Sequence, residues 1–193
     1  MPNYGISNVK HIIDLEEFKA LYNHCKSITE KAWITLLWLT GARPSEILQL
    51  TKNDITIEPD KIHFHIKTLK LKKSGDFIVE KRTLSLKLSS DNKFIINISK
   101  HLSRLRDESK LFQFDRKTGY NIIQRLGYET IGISLCPYNF RHSRLTLLAE
   151  KGASLEELMR FKGSRTVQSV RPYLHARKVE YTIQMDVGDE LDD

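Results

Sequence analysis

Arg43 stands at a point of the sequence where an anion could bind. It lies between Gly41, which is typical of the end of a helix, and Pro44, which is typical of the first turn of the next. A helix N-terminus favours anions, because its backbone N–H groups are unpaired and its dipole is positive there. Arginine binds phosphate through two parallel hydrogen bonds and stays charged at any working pH. This junction therefore indicates either a phosphate-binding residue or an ordinary surface arginine at a helix junction.

Two later segments contain further side chains that suit phosphate chemistry. Arg141 and His142 lie in Pro137-Tyr-Asn-Phe-Arg-His, and Tyr173 lies in Val170-Arg-Pro-Tyr-Leu-His. Breaking a phosphodiester with a protein hydroxyl requires a nucleophile, cations, a proton acceptor and an acid for the leaving oxygen. Adjacent helix positions point about 100° apart, so His142 is predicted to face away from Arg141 as a buried structural histidine.

The charge of the chain indicates a polyanionic partner. Of its 193 residues, 31 are Lys or Arg and 24 are Asp or Glu, which gives a net charge of +7. Five of the acids lie in the last eight residues, so residues 1–185 carry a net charge of +12. Such a basic body is typical of a nucleic-acid-binding protein, and a solvated basic surface is the alternative.

The composition excludes several other classes of protein. The chain is 40% hydrophobic and 28% charged, which fits a globular protein and argues against disorder. Its apolar runs are too short to span a bilayer, and its first residues lack the pattern of a signal peptide. Two cysteines cannot form a disulfide framework. We therefore expect a cytoplasmic protein, not a secreted or membrane-spanning one.

The candidate residues must be positioned by a mainly helical framework. Capping signals predict helices that open at Asp14, near Thr29 and at Ser154, and Gly41 is predicted to end the second helix. Pro44 is predicted to begin a further helix. The remaining helices are predicted at about 91–106, 117–126, 137–151 and 154–162.

One stretch of the chain predicts β-structure. Apolar and polar residues alternate over 55–57, 62–66 and 77–86, as they do in half-buried strands. The lysine-rich segment 67–76 is predicted to be the hairpin loop between the last two strands. The expected fold is therefore α+β and mainly α, with a small three-stranded antiparallel sheet. His63 and His65 share one strand face, but no further ligand stands near them, so no metal site is predicted.

Three segments of the chain resemble the tyrosine recombinases, also called phage integrases. They are Thr40-Gly-Ala-Arg-Pro-Ser-Glu-Ile-Leu-Gln-Leu50, the segment from Pro137 to Gly152, and the segment from Phe161 to His175. They occur in the family's order and with similar spacing, around a short sheet with a lysine-bearing hairpin. The resemblance covers roughly residues 12–180, which correspond to the family's catalytic domain.

The resemblance implies roles for the two arginines and the tyrosine. Arg43 and Arg141 correspond to the residues that clamp the scissile phosphate, and Tyr173 corresponds to the nucleophile. Tyr173 lies 32 residues after Arg141, and its Tyr-Leu-His resembles the family's Tyr-Thr-His ending, whereas Tyr181 lies too far along the chain. Because Pro172 disfavours helix at the residue before it, Tyr173 is predicted to lie on a turn or loop.

A hairpin lysine is implied to be the general acid for the leaving 5′ oxygen. Lys67, at the end of the predicted second strand, matches this position best. Lys70, Lys72 and Lys73 are alternatives, because the predicted loop is longer than usual in the family. Glu46, one helical turn after Arg43, is interpreted either as a residue that orients it or as a plain capping carboxylate.

Two positions depart from the family's pattern. Tyr138 stands three residues before Arg141, where the family usually has histidine, and Ser164 stands after Gly163, where it usually has histidine or tryptophan. Both can donate a hydrogen bond to phosphate, but tyrosine is a poor base near neutral pH. We therefore predict that this site removes the proton of Tyr173 less efficiently than is usual in the family. Lys162 is a further possible donor, and a solvated lysine is the alternative.

The resemblance implies DNA strand exchange without metal or other cofactor. Tyr173 would form a 3′-phosphotyrosyl link to double-stranded DNA, within a homotetramer on two duplexes. Residues 1–185 are expected to form the catalytic domain and 186–193 an acidic tail, and the family's usual N-terminal DNA-clamping domain has no counterpart in this sequence. A DNA-binding accessory relative with weak or lost cleavage is the alternative. The target site, the direction of the reaction and donation of the tyrosine in cis or in trans stay open.

Overall fold

Helices and one small sheet make up the computed structural model of the chain. It describes residues 11–71, 77–87, 89 and 91–174, with the backbone alone at 69–71 and 77–80. The strands are β1 (Ile55–Ile57), β2 (Lys61–Leu71) and β3 (Phe77–Lys87). The helices are α1 (Leu15–His24), α2 (Ile28–Thr40), α3 (Pro44–Ile47), α4 (Lys93–Leu102), α5 (Arg116–Ile131), α6 (Pro137–Glu150), α7 (Leu155–Lys162) and α8 (Arg171–Leu174). Within the described part of the chain, no helix is long and apolar enough to span a bilayer.

Helix α2 forms the centre of the hydrophobic core. Its residues from 32 to 40 are all buried, because the helix is apolar on every side. Trp38 stacks on Phe18 of α1 with ring centroids 4.6 Å apart, and Trp33 meets Phe112 and Phe114 edge to face. The burial of these large rings fixes α2, and with it the chain segment that carries Arg43.

The predicted helix signals are largely confirmed. Asp14 and Ser154 each form a capping box, and Gly41 ends α2 in the left-handed conformation with φ +52°. The predicted cap at Thr29 is wrong, because the hydroxyl of Ser27 accepts the hydrogen bond from Glu30 N and starts α2 earlier. Helix α4 is shorter than predicted and α5 is longer, since Asn92 caps the first and Gly132 ends the second.

The three strands form an antiparallel sheet in the order β1-β2-β3, as predicted. The β2–β3 ladder is longer than predicted, because pairing continues to Leu71 opposite Phe77. Lys67 therefore lies within β2, paired with Lys81, and not in a hairpin loop. Lys70 lies farther along the same strand, while Lys72 and Lys73 fall outside the described residues.

The segment that carries Tyr173 is helical, so the prediction of a turn or loop is wrong. After α7 ends at Gly163, a short 3-10 turn over Val167–Ser169 leads into α8. Pro172 is tolerated because the first turn of a helix does not need its missing N–H group. Tyr173 N donates to Val170 O at 2.9 Å and the tyrosine ring faces inward. Tyr181 and the acidic tail lie outside the described residues.

Candidate active site

Arg43 lies at the N-terminus of α3, as the sequence predicts. Pro44 occupies the first turn, and the carboxylate of Glu46 accepts hydrogen bonds from both the backbone N (2.8 Å) and Nη1 (3.0 Å) of Arg43. The side chain of Arg43 is 36% exposed, whereas that of Glu46 is 4% exposed. Glu46 therefore holds the guanidinium in place while leaving part of it open to a ligand, in agreement with an orienting role.

Glu46 also ties α3 to the sheet. Arg82 of β3 bonds both carboxylate oxygens of Glu46 at 3.2 and 2.8 Å, and Thr68 of β2 donates to one of them at 2.6 Å. Burial acts to raise the pKa of Glu46, but hydrogen bonds and charge from Arg82, together with Thr68 and Arg43, lower it to about 2. The carboxylate is thus ionised and fixes two arginines at once.

A Glu46→Gln variant is expected to lose about 3 kcal/mol of stability at pH 7. The amide leaves the guanidinium of Arg82, 12% exposed, without its buried counter-charge. Because the pKa of Glu46 is lowered in the fold, its contribution is complete above the unfolded value and is lost as pH falls from about 4.5 towards 2. Urea unfolding should therefore show a smaller difference between variant and wild type at pH 3 than at pH 7.

The matched control for this prediction is Glu16→Gln, because the Glu16 side chain is 81% exposed. That change should shift stability by no more than about 0.5 kcal/mol at either pH. Equal losses for both variants, or a Glu46→Gln loss that is the same at pH 3 and pH 7, would contradict the proposed network.

Arg141 is buried at the point where α2, α6 and α7 meet. Its Nη1 donates to the carbonyl of Gly41 at 2.6 Å and its Nη2 to the carbonyl of Lys162 at 2.7 Å. In the described part of the chain no carboxylate forms an ion pair with it, although it is only 5% exposed. Burial, and then repulsion by Arg43, lower the pKa of Arg141 to about 10. Two backbone carbonyls thus hold the guanidinium of Arg141 in a fixed orientation, and a bound anion would balance its charge.

Tyr173 is 6% exposed and lies within electrostatic range of Arg141. Burial raises the pKa of its phenol, and the charge of Arg141 partly opposes that rise. The ring of His142 packs against it with centroids 5.1 Å apart, and Nζ of Lys162 lies 5.1 Å from its ring centroid. His142 is therefore half-buried, not fully buried as predicted, and its structural role stays a prediction.

Lys67 makes a different contact from the arginines. Its Nζ forms a 2.9 Å ion pair with Asp54, and its side chain is 46% exposed. Burial acts to raise the pKa of Asp54, but hydrogen bonds from Lys67 and Thr51 hold it below its usual value. A cleft of about 350 Å³ opens beside Lys67; it is lined by Asn53, Asp54, His65, Lys67, Lys81, Arg82 and Thr83.

The two residues that depart from the family's pattern are both near the site's edge. Tyr138 lies in the first turn of α6, one turn before Arg141, and is 41% exposed. Ser164 follows the left-handed Gly163, and its Oγ accepts hydrogen bonds from Ser169 Oγ (2.6 Å) and Thr166 N (3.3 Å). The hydroxyl of Ser169 also lies 2.8 Å from the carbonyl of Thr166, so its single proton has two acceptors.

Arg82 and Lys162 are site residues whose contacts were not predicted from the sequence. Arg82 had a signal, because the β-strand period of two places it on the buried face with Leu84 and Leu86. Lys162 was named from the sequence only as a possible donor, since its neighbours at the site come from distant parts of the chain. The described residues include no group of three or more His, Cys, Asp or Glu that could hold a metal ion.

Comparisons with known proteins identify relatives of this chain. The model of the phage integrase family matches residues 11–180. Tyrosine recombinase XerA of Saccharolobus solfataricus is 28% identical over 175 residues, which are 91% of this chain and 55% of that protein. The chain thus spans little more than half the length of this relative.

Solved structures show the same fold. The XerH site-specific recombinase bound to its difH substrate, in a pre-cleavage complex, superposes with a TM-score of 0.66 at 21% identity, over 91% of this chain and 51% of that one. The catalytic domain of bacteriophage HP1 integrase superposes with a TM-score of 0.54 at 18% identity, over 84% of both chains.

Proposed function

Because the chain belongs to the phage integrase family, we propose that it breaks and rejoins DNA strands through Tyr173. The observation that carries the proposal is the placement of the buried, carbonyl-anchored guanidinium of Arg141 beside Arg43 and Tyr173. Two arginines that repel each other form a site for an anion, and a tyrosine at that site is placed to attack it. The similar proteins are named as recombinases, which supports duplex DNA as the substrate.

The proposed reaction is a transesterification. The phenolic oxygen of Tyr173 bonds to phosphorus, and the bond from phosphorus to the 5′ oxygen breaks, which leaves a 3′-phosphotyrosyl link and a free 5′-hydroxyl. Arg43 and Arg141 balance the charge of the pentavalent phosphate, where fixed donors contribute most. Attack by a 5′-hydroxyl from a second duplex reverses the step and exchanges the strands, so the bond energy is kept in the link.

Lys67 is proposed to protonate the leaving 5′ oxygen. It lies on a long hairpin strand, half-exposed, and its ammonium forms an ion pair with Asp54. On this proposal the lysine leaves Asp54 for the DNA backbone when the duplex binds. Tyr138 and Ser164 are proposed to donate hydrogen bonds to the phosphate, and the proton of Tyr173 passes to solvent.

The proposal is tested by trapping the covalent link. The chain is mixed with a library of duplexes that carry a nick beside a randomised sequence and a label at the 5′ end of the cleaved strand. Loss of the short fragment beyond the nick prevents religation, so a labelled protein–DNA adduct should survive a denaturing gel. If no adduct forms while the duplexes are bound, the cleavage proposal fails.

A DNA-binding accessory relative is the second candidate function. Tyr138 and Ser164 at the positions of usual histidines, and the engagement of Lys67 by Asp54, favour it. The same trapping experiment separates the two candidates, because an accessory protein binds the library and leaves no adduct. Assembly of four copies on two duplexes is proposed only for the recombinase.

Duplex binding is expected to be strongly salt-dependent. Residues 1–185 carry a net charge of +12, and phosphate contacts by lysine and arginine release condensed counterions. If six or more phosphates are contacted, affinity should fall about a thousandfold or more between 50 and 200 mM salt. A fluorescence anisotropy titration over this range measures the slope, and a flat response would count against DNA as the partner.

A further inference from the structure

Lys162 is a basic residue of the site that the proposed chemistry does not use. It is the last residue of α7, and its backbone carbonyl accepts the 2.7 Å hydrogen bond from Nη2 of Arg141. Its Nζ lies over the ring of Tyr173, 5.1 Å from the centroid, and donates to the carbonyl of Ser169. Lys162 therefore contacts both the buried arginine and the tyrosine, although 21 residues separate it from the first.

Charged and titratable groups of three other elements act on Lys162 or lie beside it. Arg43 lies at the start of α3, Arg141 and His142 lie on α6, and the neutral phenol of Tyr173 lies on α8. Burial, and then repulsion by Arg141 and Arg43, lower the pKa of the half-buried Lys162 to about 8.

No described carboxylate forms an ion pair with Lys162, and the nearby Glu46 is engaged by Arg43 and Arg82. Among the described residues, Glu46 is thus the one carboxylate that forms an ion pair with any of the three cations Arg43, Arg141 and Lys162, and it pairs only with Arg43. A phosphate bound there would attract each of the three cations and so offset their mutual repulsion, since an opposite charge within a few ångströms favours the charged form of each group.

We propose that Lys162 is a further catalytic residue, whose ammonium binds the scissile phosphate together with Arg43 and Arg141 on the side of the attacking tyrosine. The inference rests on the proposed function. It also explains why a neutral side chain suffices at Ser164, two positions after Lys162, because Lys162 supplies the charge at this side of the site. Since the phosphate gains charge as the pentavalent state forms, the contact stabilises that state more than the bound duplex.

Single-turnover adduct formation tests the role of the charge. Lys162→Met is expected to slow the reaction about ten- to hundredfold, with duplex affinity nearly unchanged, because one partly buried cation is lost from the transition state. Lys162→Arg keeps the charge and should recover most of the rate. Arg160→Met is the matched control, since Arg160 is an exposed cation in the same helical turn.

Two outcomes of this kinetic comparison would overturn the proposal. In the first, Lys162→Met reacts as fast as Arg160→Met, so that the lysine contributes nothing beyond general charge. In the second, Lys162→Arg is as slow as Lys162→Met, so that the charge is not what the site requires.

A titration that needs no cleavage separates this inference from the proposed function. Lysine Cε carbons are labelled with ¹³C, and the signal of Lys162 is assigned by its absence from Lys162→Met. Its pKa, about 8 in the free chain, is expected to rise by about one unit in saturating inorganic sulfate compared with chloride of equal ionic strength. No rise would overturn the role of Lys162 even if the chain forms adducts. A rise without adducts would uphold the phosphate contact and refute the cleavage proposal.

Discussion

A chain carrying Tyr173→Phe is expected to form no covalent complex with DNA under conditions in which the unaltered chain does. The change removes only the phenolic oxygen, which is the atom that bonds to phosphorus in the proposed reaction. The ring keeps its packing against His142 and its place under Nζ of Lys162. Stability and duplex affinity should therefore change by less than about 1 kcal/mol, while the loss of the adduct is complete.

Two control variants test whether the loss of the adduct is specific to Tyr173. Tyr138→Phe removes the hydroxyl of a residue that is 41% exposed and is expected to slow adduct formation by less than about tenfold, because a neutral donor contributes less than a charged one. Tyr181→Phe tests the other tyrosine of this part of the chain and should leave the rate unchanged. An adduct that persists in Tyr173→Phe and disappears in Tyr181→Phe would move the nucleophile to Tyr181.

Local signals predicted the elements that carry the first arginine. Gly41 and Pro44 flank Arg43 within four consecutive positions, and each acts through its own backbone preference, so the sequence predicts the junction of α2 and α3. The same holds for the capping boxes at Asp14 and Ser154. Rules of this kind concern residues within four positions of each other, which is the range over which side chains reach the backbone of one turn.

The contacts that complete the site are not local, and the sequence did not predict them. Arg82 meets Glu46 across 36 positions, and Arg141 meets the carbonyl of Lys162 across 21. The length of the β2–β3 ladder, which places Lys67 within a strand, depends on pairing between both strands and not on either alone. Tyr173 was misplaced on a loop because the rule for the residue before proline yields to packing in the first turn of a helix.

The replacement of Arg141 by lysine is expected to slow adduct formation about a hundredfold or more. Lysine keeps the positive charge but lacks the planar fork, so it cannot donate to the carbonyls of Gly41 and Lys162 and also present two parallel N–H groups to phosphate. By comparison with the loss of one fixed donor from an oxyanion site, the expected cost is two to three orders of magnitude in rate. Affinity for the duplex should fall only slightly, because in the proposed complex Arg141 is one of several phosphate contacts.

Three measurements on Arg141→Lys distinguish a catalytic loss from a structural one. Urea unfolding reports stability, anisotropy reports duplex affinity, and the trapping gel reports the rate, with Arg160→Lys as the exposed control. A variant that stays folded and bound but reacts at the wild-type rate would remove Arg141 from the chemistry. A parallel loss in the control would assign the effect to surface charge. Loss of the rate alone, in Arg141→Lys alone, would mean that the geometry of the guanidinium, anchored by two backbone carbonyls, limits the reaction.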